Sequence, residues 1–199
     1  MGKKTLTTLF AVVLGVLVEW VTAQPPPNAT QMRVFTPFTT SGLSIGLAVT
    51  DGVRGSCFAS SAADPARPDA WRCEVGNAIY DPCFTNLDQT RLACAEEPFS
   101  ANAVMLTLTK DLPADAAGRE PNFNFKAMPW ALELENGQAC TPLTGATVPI
   151  AGMRINYSCG DDAYVAGSVD RSRPLWRVFY QTPSRSLSLQ QVAVTTAWY

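Results

Sequence analysis

Any chemistry in this chain proceeds without histidine, because none of its 199 residues is a histidine. Serine–histidine and cysteine–histidine nucleophiles are therefore excluded, together with every histidine-ligated metal. Carboxylate pairs remain, since a glycosidase needs only two acids about 5 to 9 Å apart. Glu133 and Glu135 lie two positions apart, and Asp161 is followed directly by Asp162. A carboxylate-dependent hydrolase of envelope glycans is thus one hypothesis, and solvent-facing acids are the alternative.

The six cysteines are an even number, which predicts three disulfide bonds. Pairing between sequence neighbours closes the shortest loops, and it joins Cys57 to Cys73, Cys83 to Cys94 and Cys140 to Cys159. Each such loop contributes roughly 3 kcal/mol in the chain-entropy model. Oxidised cysteines also remove thiolate catalysis. No Cys-x-x-Cys spacing occurs, so we expect no metal site and no cofactor.

Aromatic side chains supply the candidate ligand-binding residues. A groove for a sugar or a peptide is predicted to use Trp71, Arg72, Trp176 and Trp198. Packing in the core is the alternative for each tryptophan, since such large rings usually lie mostly inside. Trp198 and Tyr199 are adjacent and on opposite strand faces, so one of the two is expected to be exposed.

The first 23 residues have the pattern of a signal peptide. Lys3 and Lys4 precede an apolar run over residues 9–18, and Val21 and Ala23 place small residues before a cut after Ala23. The run is shorter than the roughly 20 apolar residues that span a bilayer, and no second run of that length follows. We expect a secreted or extracytoplasmic protein, in the periplasm or at the cell surface, without a membrane span in the mature chain.

Downstream of the signal peptide, we predict a proline-rich lead over residues 24–33 and a single β domain over residues 34–199. The net charge is −2 and the basic residues are scattered, so no basic face for nucleic acid is expected. The loop over residues 111–121 is rich in Ala, Asp, Gly and Pro. It would be the reactive site if the protein were a secreted protease inhibitor, and a surface connection otherwise.

Apolar and polar residues alternate with period two through most of the domain, which predicts strands. Two hairpins are predicted, one with its turn at Asp51-Gly52 and one at Asn136-Gly137. Further strands are predicted over residues 104–109, 153–159, 163–169, 175–181 and 187–199. The last changes phase, which indicates a bulge near Gln190 and Gln191. We expect an antiparallel sandwich or small barrel, with one short helical turn over residues 68–73.

The run W-R-C-x-x-G-N-x-I-x-D-P-C-F over residues 71–84 resembles a group of secreted or cell-envelope bacterial proteins of unassigned function. Later blocks over residues 129–134, 152–159 and 197–199 are similar to the same group. Phe58 departs from the tryptophan expected at its position. The resemblance implies a bacterial extracytoplasmic location and carries over no activity. In physical terms Gly76-Asn77 supplies a turn and Asp81-Pro82 ends the strand that follows.

The sequence therefore favours a secreted, non-enzymatic binding or interaction module. Its partner would be an extracytoplasmic protein, peptide or glycan. A hydrolase acting through two facing acids and a protease inhibitor are the two alternatives.

Overall fold

The computed structural model describes residues 28–113, 123–182 and 188–199. These stretches hold fourteen strands and no helix, which confirms the predicted all-β fold class. The strands are β1 (Gln31–Arg33), β2 (Phe38–Thr39), β3 (Gly42–Leu43), β4 (Ala48–Ser60), β5 (Ala70–Val75), β6 (Ala78–Thr85), β7 (Arg91–Cys94), β8 (Asn102–Leu108), β9 (Ala131–Leu134), β10 (Ala139–Pro142), β11 (Ile155–Ser158), β12 (Tyr164–Asp170), β13 (Arg177–Gln181) and β14 (Gln190–Trp198). The predicted signal peptide lies outside the described residues, and so do residues 114–121 of the predicted loop.

The first half of the domain is a closed barrel of five strands, β4 to β8. Successive strands pair antiparallel around it. Because the direction reverses at every connection, the first and fifth strands run the same way. β4 therefore closes the barrel on β8 by parallel pairing, from Ala48 opposite Asn102 to Gly55 opposite Leu108.

The second half is a ring of six strands, β9 to β14, whose neighbours also pair antiparallel. With an even number of strands the first and last run in opposite directions, and β14 closes antiparallel on β9. The Asn136-Gly137 hairpin joins β9 to β10 as predicted, with Gly137 at a φ of +82°. The "sandwich or barrel" alternative is thereby resolved in favour of two small barrels.

β1 belongs to the second barrel although it lies inside the predicted lead. It pairs parallel with the end of β14, where β13 no longer covers that edge. Between the two pairings, the Thr30 hydroxyl donates to the Val194 carbonyl at 2.7 Å and accepts from the Trp176 amide at 2.8 Å. The folded part thus begins before Val34, because Thr30 satisfies backbone groups that β13 leaves unpaired.

All three predicted disulfides are present, and no described cysteine is free. The first two join directly opposed residues, Cys57 on β4 with Cys73 on β5 and Cys83 on β6 with Cys94 on β7. The third joins β10 to the residue after β11 in the second barrel. Since these three bonds use all six cysteines of the chain, each barrel is cross-linked within itself and not to the other.

The two barrels share a small aromatic core. Phe35, Phe84 and Trp130 pack around one another with ring centroids 5.2 to 5.3 Å apart. Arg67 covers this core, with its guanidinium 4.3 Å from the centre of the Phe84 ring. It also donates to the backbone carbonyl of Phe35 and forms a two-pronged ion pair with Asp69. The contact joins the chain before β2 to β6 of the first barrel and to the residue just before β9 of the second.

Two local predictions are wrong. Asp51-Gly52 is not a turn, because β4 runs through it and only shifts its register to β8 between Val49 and Asp51. Residues 68–73 are not helical either, since a turn at Pro68 leads into β5 at Ala70. In both cases pairing with another strand outweighs the local signal.

Two positional predictions are also corrected. Asp81-Pro82 does not end a strand, because β6 continues through it to Thr85. The register shift in β14 lies between Val194 and Thr196, opposite β9, rather than near Gln190. Gly76-Asn77 does form the predicted turn, between β5 and β6, with Gly76 at a φ of +59°.

Candidate functional site

Two of the residues predicted from the sequence to act in function, Trp198 and Glu133, meet in one concavity, which we call the Trp198 groove. It lies where β1, the end of β14 and the β9–β10 hairpin face the segment after β7 of the first barrel. Its volume is about 440 Å³. The aromatic and polar side chains that line it are Arg33, Phe99, Glu133, Gln138, Thr195 and Trp198.

Hydrogen bonding and ring contacts fix the Trp198 side chain in the groove. Its indole Nε1–H donates to Oε1 of Glu133 at 2.7 Å. The Arg33 guanidinium lies 5.4 Å from the centre of the indole ring, within the range of a cation–π contact. The Phe99 ring meets the indole edge-on, with centroids 6.3 Å apart. The groove therefore offers an oriented aromatic surface between one cation and one carboxylate.

The alternation of side chains at the end of β14 explains why the Trp198 ring is accessible to a ligand. Ala197 and Tyr199 are fully buried, whereas Trp198 points away from the second barrel's core and is partly exposed. The Tyr199 hydroxyl donates to the Phe125 carbonyl at 3.2 Å. The prediction that the two terminal aromatic residues do not both point inward is confirmed, and Trp198, the outward-facing one, is partly exposed.

The candidate acids do not all line this groove. Glu133 lines the Trp198 groove, but Glu135 is exposed and its carboxylate accepts from the Ala193 amide at 2.9 Å. Asp161 and Asp162 are exposed in the turn between β11 and β12, both at positive φ. Among the described residues that line the groove, Glu133 is the one acid, so the two-carboxylate geometry of a glycosidase is not assembled there.

Two other predicted ligand residues, Trp71 and Arg72, lie in β5 of the first barrel. Trp71 is 2% exposed and packs in that barrel's core, so its ring is closed to a ligand. Arg72 is partly exposed, with its guanidinium 5.8 Å from the centre of the exposed Phe58 ring and its Nε 3.9 Å from Asp81. Neither lines the Trp198 groove.

Trp176, the fourth predicted residue, lies just before β13 and is partly buried against the second core. The Arg171 guanidinium stacks over its ring, 4.6 Å from the ring centre. Trp176 is absent from the lining of the Trp198 groove. The four predicted ligand residues are therefore dispersed over both barrels, and Trp198 alone lies in this groove.

Two polar residues, Asp81 within the 71–84 run and Asp69 just before it, have structural roles. The Asp81 carboxylate accepts from the Ser61 hydroxyl at 2.5 Å and from the Ala62 amide at 3.1 Å, and it thereby holds the chain after β4. Asp69 is engaged by Arg67. These contacts support the interpretation that such residues tie loops together.

A carboxyl group is buried where the barrels meet. Asp64 is fully buried, and neither of its oxygens has a hydrogen bond of ordinary geometry among the described residues. Burial raises the pKa of Asp64 to about 7, although Arg67 and the Ala66 amide both act to lower it. The nearby hydroxyl of Tyr157 donates to the Pro129 carbonyl at 2.8 Å, and burial raises the pKa of this tyrosine as well. Asp64 is thus a neutral acid at mildly acidic pH.

Sequence reasoning missed Arg33, Phe99, Gln138 and Thr195 as groove residues. Arg33 falls within the predicted lead, and Phe99 belongs to the other barrel. No local pattern connects either one to Trp198. Gln138 follows the predicted Asn136-Gly137 turn, so a search of the residues flanking that hairpin would have found it.

Known proteins add no further assignment. Comparisons with protein-family models, curated proteins and solved structures find no match to this chain. In the described stretches, no three Cys, Asp or Glu side chains are grouped to hold a metal ion. No helix within those stretches is long and apolar enough to cross a bilayer. The resemblance to secreted bacterial proteins stays a prediction.

Proposed function

We propose that this protein is an exported, non-enzymatic binding module whose Trp198 groove holds an extracytoplasmic glycan. The observation that carries the proposal is the oriented indole of Trp198, fixed by Glu133 within a groove that also presents Arg33. The disulfide-linked barrels form a rigid support for that groove, and rigid support lowers the entropic cost of binding.

The groove's chemistry suits a ligand with many hydroxyl groups. A sugar ring packs its C–H face on an aromatic surface and uses its hydroxyls both to donate and to accept. Glu133 offers an acceptor oxygen beyond the one that Trp198 engages, and Arg33 offers donors. The Gln138 amide supplies groups of both kinds, and the Thr195 hydroxyl, which donates to the Glu133 carbonyl at 3.0 Å, supplies an acceptor. Together these groups can donate to a sugar hydroxyl and accept from it.

Within the Trp198 groove, binding is favoured over hydrolysis because Glu133 is the one acid among the described residues that line it. A retaining or inverting glycosidase needs a second carboxyl group within about 5 to 9 Å of the first. Glu135 is engaged by a backbone amide of the second barrel instead. For the protease-inhibitor alternative, most of the predicted reactive loop lies outside the described residues, and no observation on the remainder favours it.

The bacterial origin and export of the chain rest on the signal-peptide pattern and the sequence resemblance. Three disulfides are compatible with an oxidising compartment. Mass spectrometry of the protein from its native location, measuring the N-terminal residue and the state of the thiols, tests this part. A chain that keeps residues 1–23, or free thiols at all six cysteines, would contradict export.

Glycan binding is tested by co-sedimentation of the purified mature protein with insoluble envelope polysaccharides and peptidoglycan. We expect retention by at least one polymer and a loss of about tenfold or more for Trp198→Ala, equivalent to about 1.4 kcal/mol. Phe58→Ala is the control, because Phe58 is an exposed aromatic residue outside the groove. Equal retention of Trp198→Ala and the original protein, or no retention by any polymer, would overturn the proposal. Release of soluble sugar that stops in Glu133→Gln would instead support hydrolysis.

A further inference from the structure

A second cavity, on the second barrel, has a lining with two cations and no carboxylate. Its volume is about 400 Å³, and we call it the Lys126 pocket. Lys126 and Arg171 contribute the positive charges, and Met128 and Val169 contribute apolar surface. Glu133 and Trp198 do not line it, so it is distinct from the Trp198 groove.

Arg171 fixes the backbone that carries Lys126, so the two cations lie side by side. Its guanidinium nitrogens donate to the carbonyls of Phe125 at 2.6 Å and Ala127 at 2.7 Å, the two residues on either side of Lys126. The Arg171 guanidinium also lies over the Trp176 ring, 4.6 Å from the ring centre. The backbone that carries Lys126 is thus clamped beside a fixed guanidinium, and Lys126 itself stays exposed.

The positive charge in the pocket is not neutralised by the protein. Among the described residues two ion pairs form, Arg67 with Asp69 and Arg72 with Asp81, and neither involves a residue of the pocket. The carbonyls that accept from Arg171 carry only partial charges. Two like charges held on one wall of a concave site favour the entry of an anion.

The remaining walls restrict what that anion is. Met128 and Val169 expose apolar side chains and Asn156 and Ser168 are polar, while Pro129 and Tyr157 lie buried beneath the surface. The Tyr157 hydroxyl is already engaged with the Pro129 carbonyl. A fully hydrated inorganic anion gains little from these walls, whereas a ligand with an apolar body buries surface against them.

We propose that the Lys126 pocket binds an organic carboxylate with an apolar body. The carboxylate accepts charge-assisted hydrogen bonds from Lys126 and from the donors that Arg171 has left, and the body packs on Met128 and Val169. A free carboxylic acid and the C-terminus of a peptide both present this chemistry. The inference does not depend on glycan binding in the Trp198 groove.

The test is titration of the isotope-labelled mature protein, followed by the backbone amide signals of Ser168 and Val169. The probes are isovalerate, N-acetyl-leucine and N-acetyl-leucinamide. We expect saturable shifts with both carboxylates at millimolar concentration and none with the amide. Tighter binding of N-acetyl-leucine than of isovalerate would indicate a peptide C-terminus as the source, and equal binding a free acid.

Variants connect binding to the pocket. Lys126→Gln is expected to weaken carboxylate binding about tenfold, Lys126→Arg to retain it, and added salt to weaken it. Lys110→Gln is the matched control, an exposed lysine after β8 of the other barrel. No saturable shift with either carboxylate, or equal affinities for Lys126→Gln and the original protein, would overturn the proposal. Loss of glycan binding in Trp198→Ala leaves this titration unchanged, so the two proposals fail separately.

Discussion

The indole N–H of Trp198 donates to the Glu133 carboxylate across the seam where β14 closes on β9. Glu133 is paired directly with Thr196, so the bond runs diagonally between neighbouring strands. Diagonal neighbours on one face are close enough for long side chains to interact. The bond therefore lies at the strand pairing that closes the barrel, and it fixes the orientation of the Trp198 ring on which we propose that the ligand packs.

We predict that Trp198 and Glu133 are energetically coupled. Trp198→Phe keeps an aromatic ring and loses the donor, while Glu133→Ala removes the acceptor. A double-mutant cycle of urea unfolding should give a coupling free energy of about 1.5 kcal/mol, the size typical of a hydrogen bond to a charged group. A coupling near zero would show that water replaces the bond at no cost.

We predict that Asp64 makes stability fall as the pH rises from about 4 to about 7. Below pH 4 the carboxyl is protonated in both states and has no effect on the free energy of unfolding. Between the ordinary pKa of 3.8 and the folded value of about 7, the unfolded chain loses the proton and the folded protein keeps it. Unfolding is favoured increasingly over that range, by up to roughly 4 kcal/mol, and the penalty is constant above it.

Urea unfolding of the original protein and of Asp64→Asn, measured at intervals from pH 4 to pH 8, checks this. The difference between the two stabilities should change with pH in the stated direction, since the carboxamide that replaces the carboxyl group does not titrate. Parallel pH profiles for the two proteins would mean that Asp64 is ionised in the folded state.

We predict that Gly55 tolerates no side chain. It lies on β4 against β5, where an added Cβ would overlap the Glu74 carbonyl oxygen and lie 2.8 Å from Cγ2 of Val75. Gly55→Ala should therefore lower the free energy of unfolding by about 2 kcal/mol or more, since two paired strands must separate. Gly52→Ala is the control on the same strand, because an added Cβ there meets nothing within 4 Å. Thermal unfolding of both variants measures the difference, and equal stabilities would contradict the close approach.

Local patterns predicted much of the second barrel and less of the first. Asn136-Gly137 joins strands that are neighbours in sequence, so the turn signal and the pairing agree. Asp51-Gly52 carries the same signal, but β4 pairs there with β8, and a distant strand leaves no trace in a local window. Cysteine pairing was predictable because each bond joins neighbouring strands of a meander.

The same distinction applies to the sites. Alternation predicts that Trp198 and Tyr199 face opposite sides of β14, but the parity of the buried Val192 and Val194 would place Trp198 in the core. The register shift between Val194 and Thr196 brings Tyr199 to the core side instead. Arg33 reaches Trp198 only because β1 pairs with the end of the chain, and Phe99 reaches it from the other barrel. The orientation of Lys126 depends likewise on Arg171, through carbonyl contacts that side-chain types do not encode.

We predict that the Arg67–Asp69 ion pair contributes far more to stability than Arg72–Asp81. The side chain of Arg67 is 5% exposed and its Nη2 lies 2.6 Å from Asp69, whereas that of Arg72 is 39% exposed and 3.9 Å from Asp81. Arg67→Met leaves the Asp69 carboxylate and the Phe35 carbonyl without their donor. The expected loss is about 2 to 4 kcal/mol, against less than about 1 kcal/mol for Arg72→Met.

The substitution Arg67→Lys tests whether the positive charge of Arg67 or the planar shape of its guanidinium stabilises the protein. Lysine keeps the positive charge but lacks the planar fork that reaches Asp69 with two nitrogens and the Phe35 carbonyl with the third. Because that fork also packs on Phe84 in the core between the barrels, Arg67→Lys should lose most of what Arg67→Met loses. Urea unfolding of the three variants measures this order. If Arg67→Lys is as stable as the original protein, charge alone stabilises the contact between the barrels, and the fork is unnecessary.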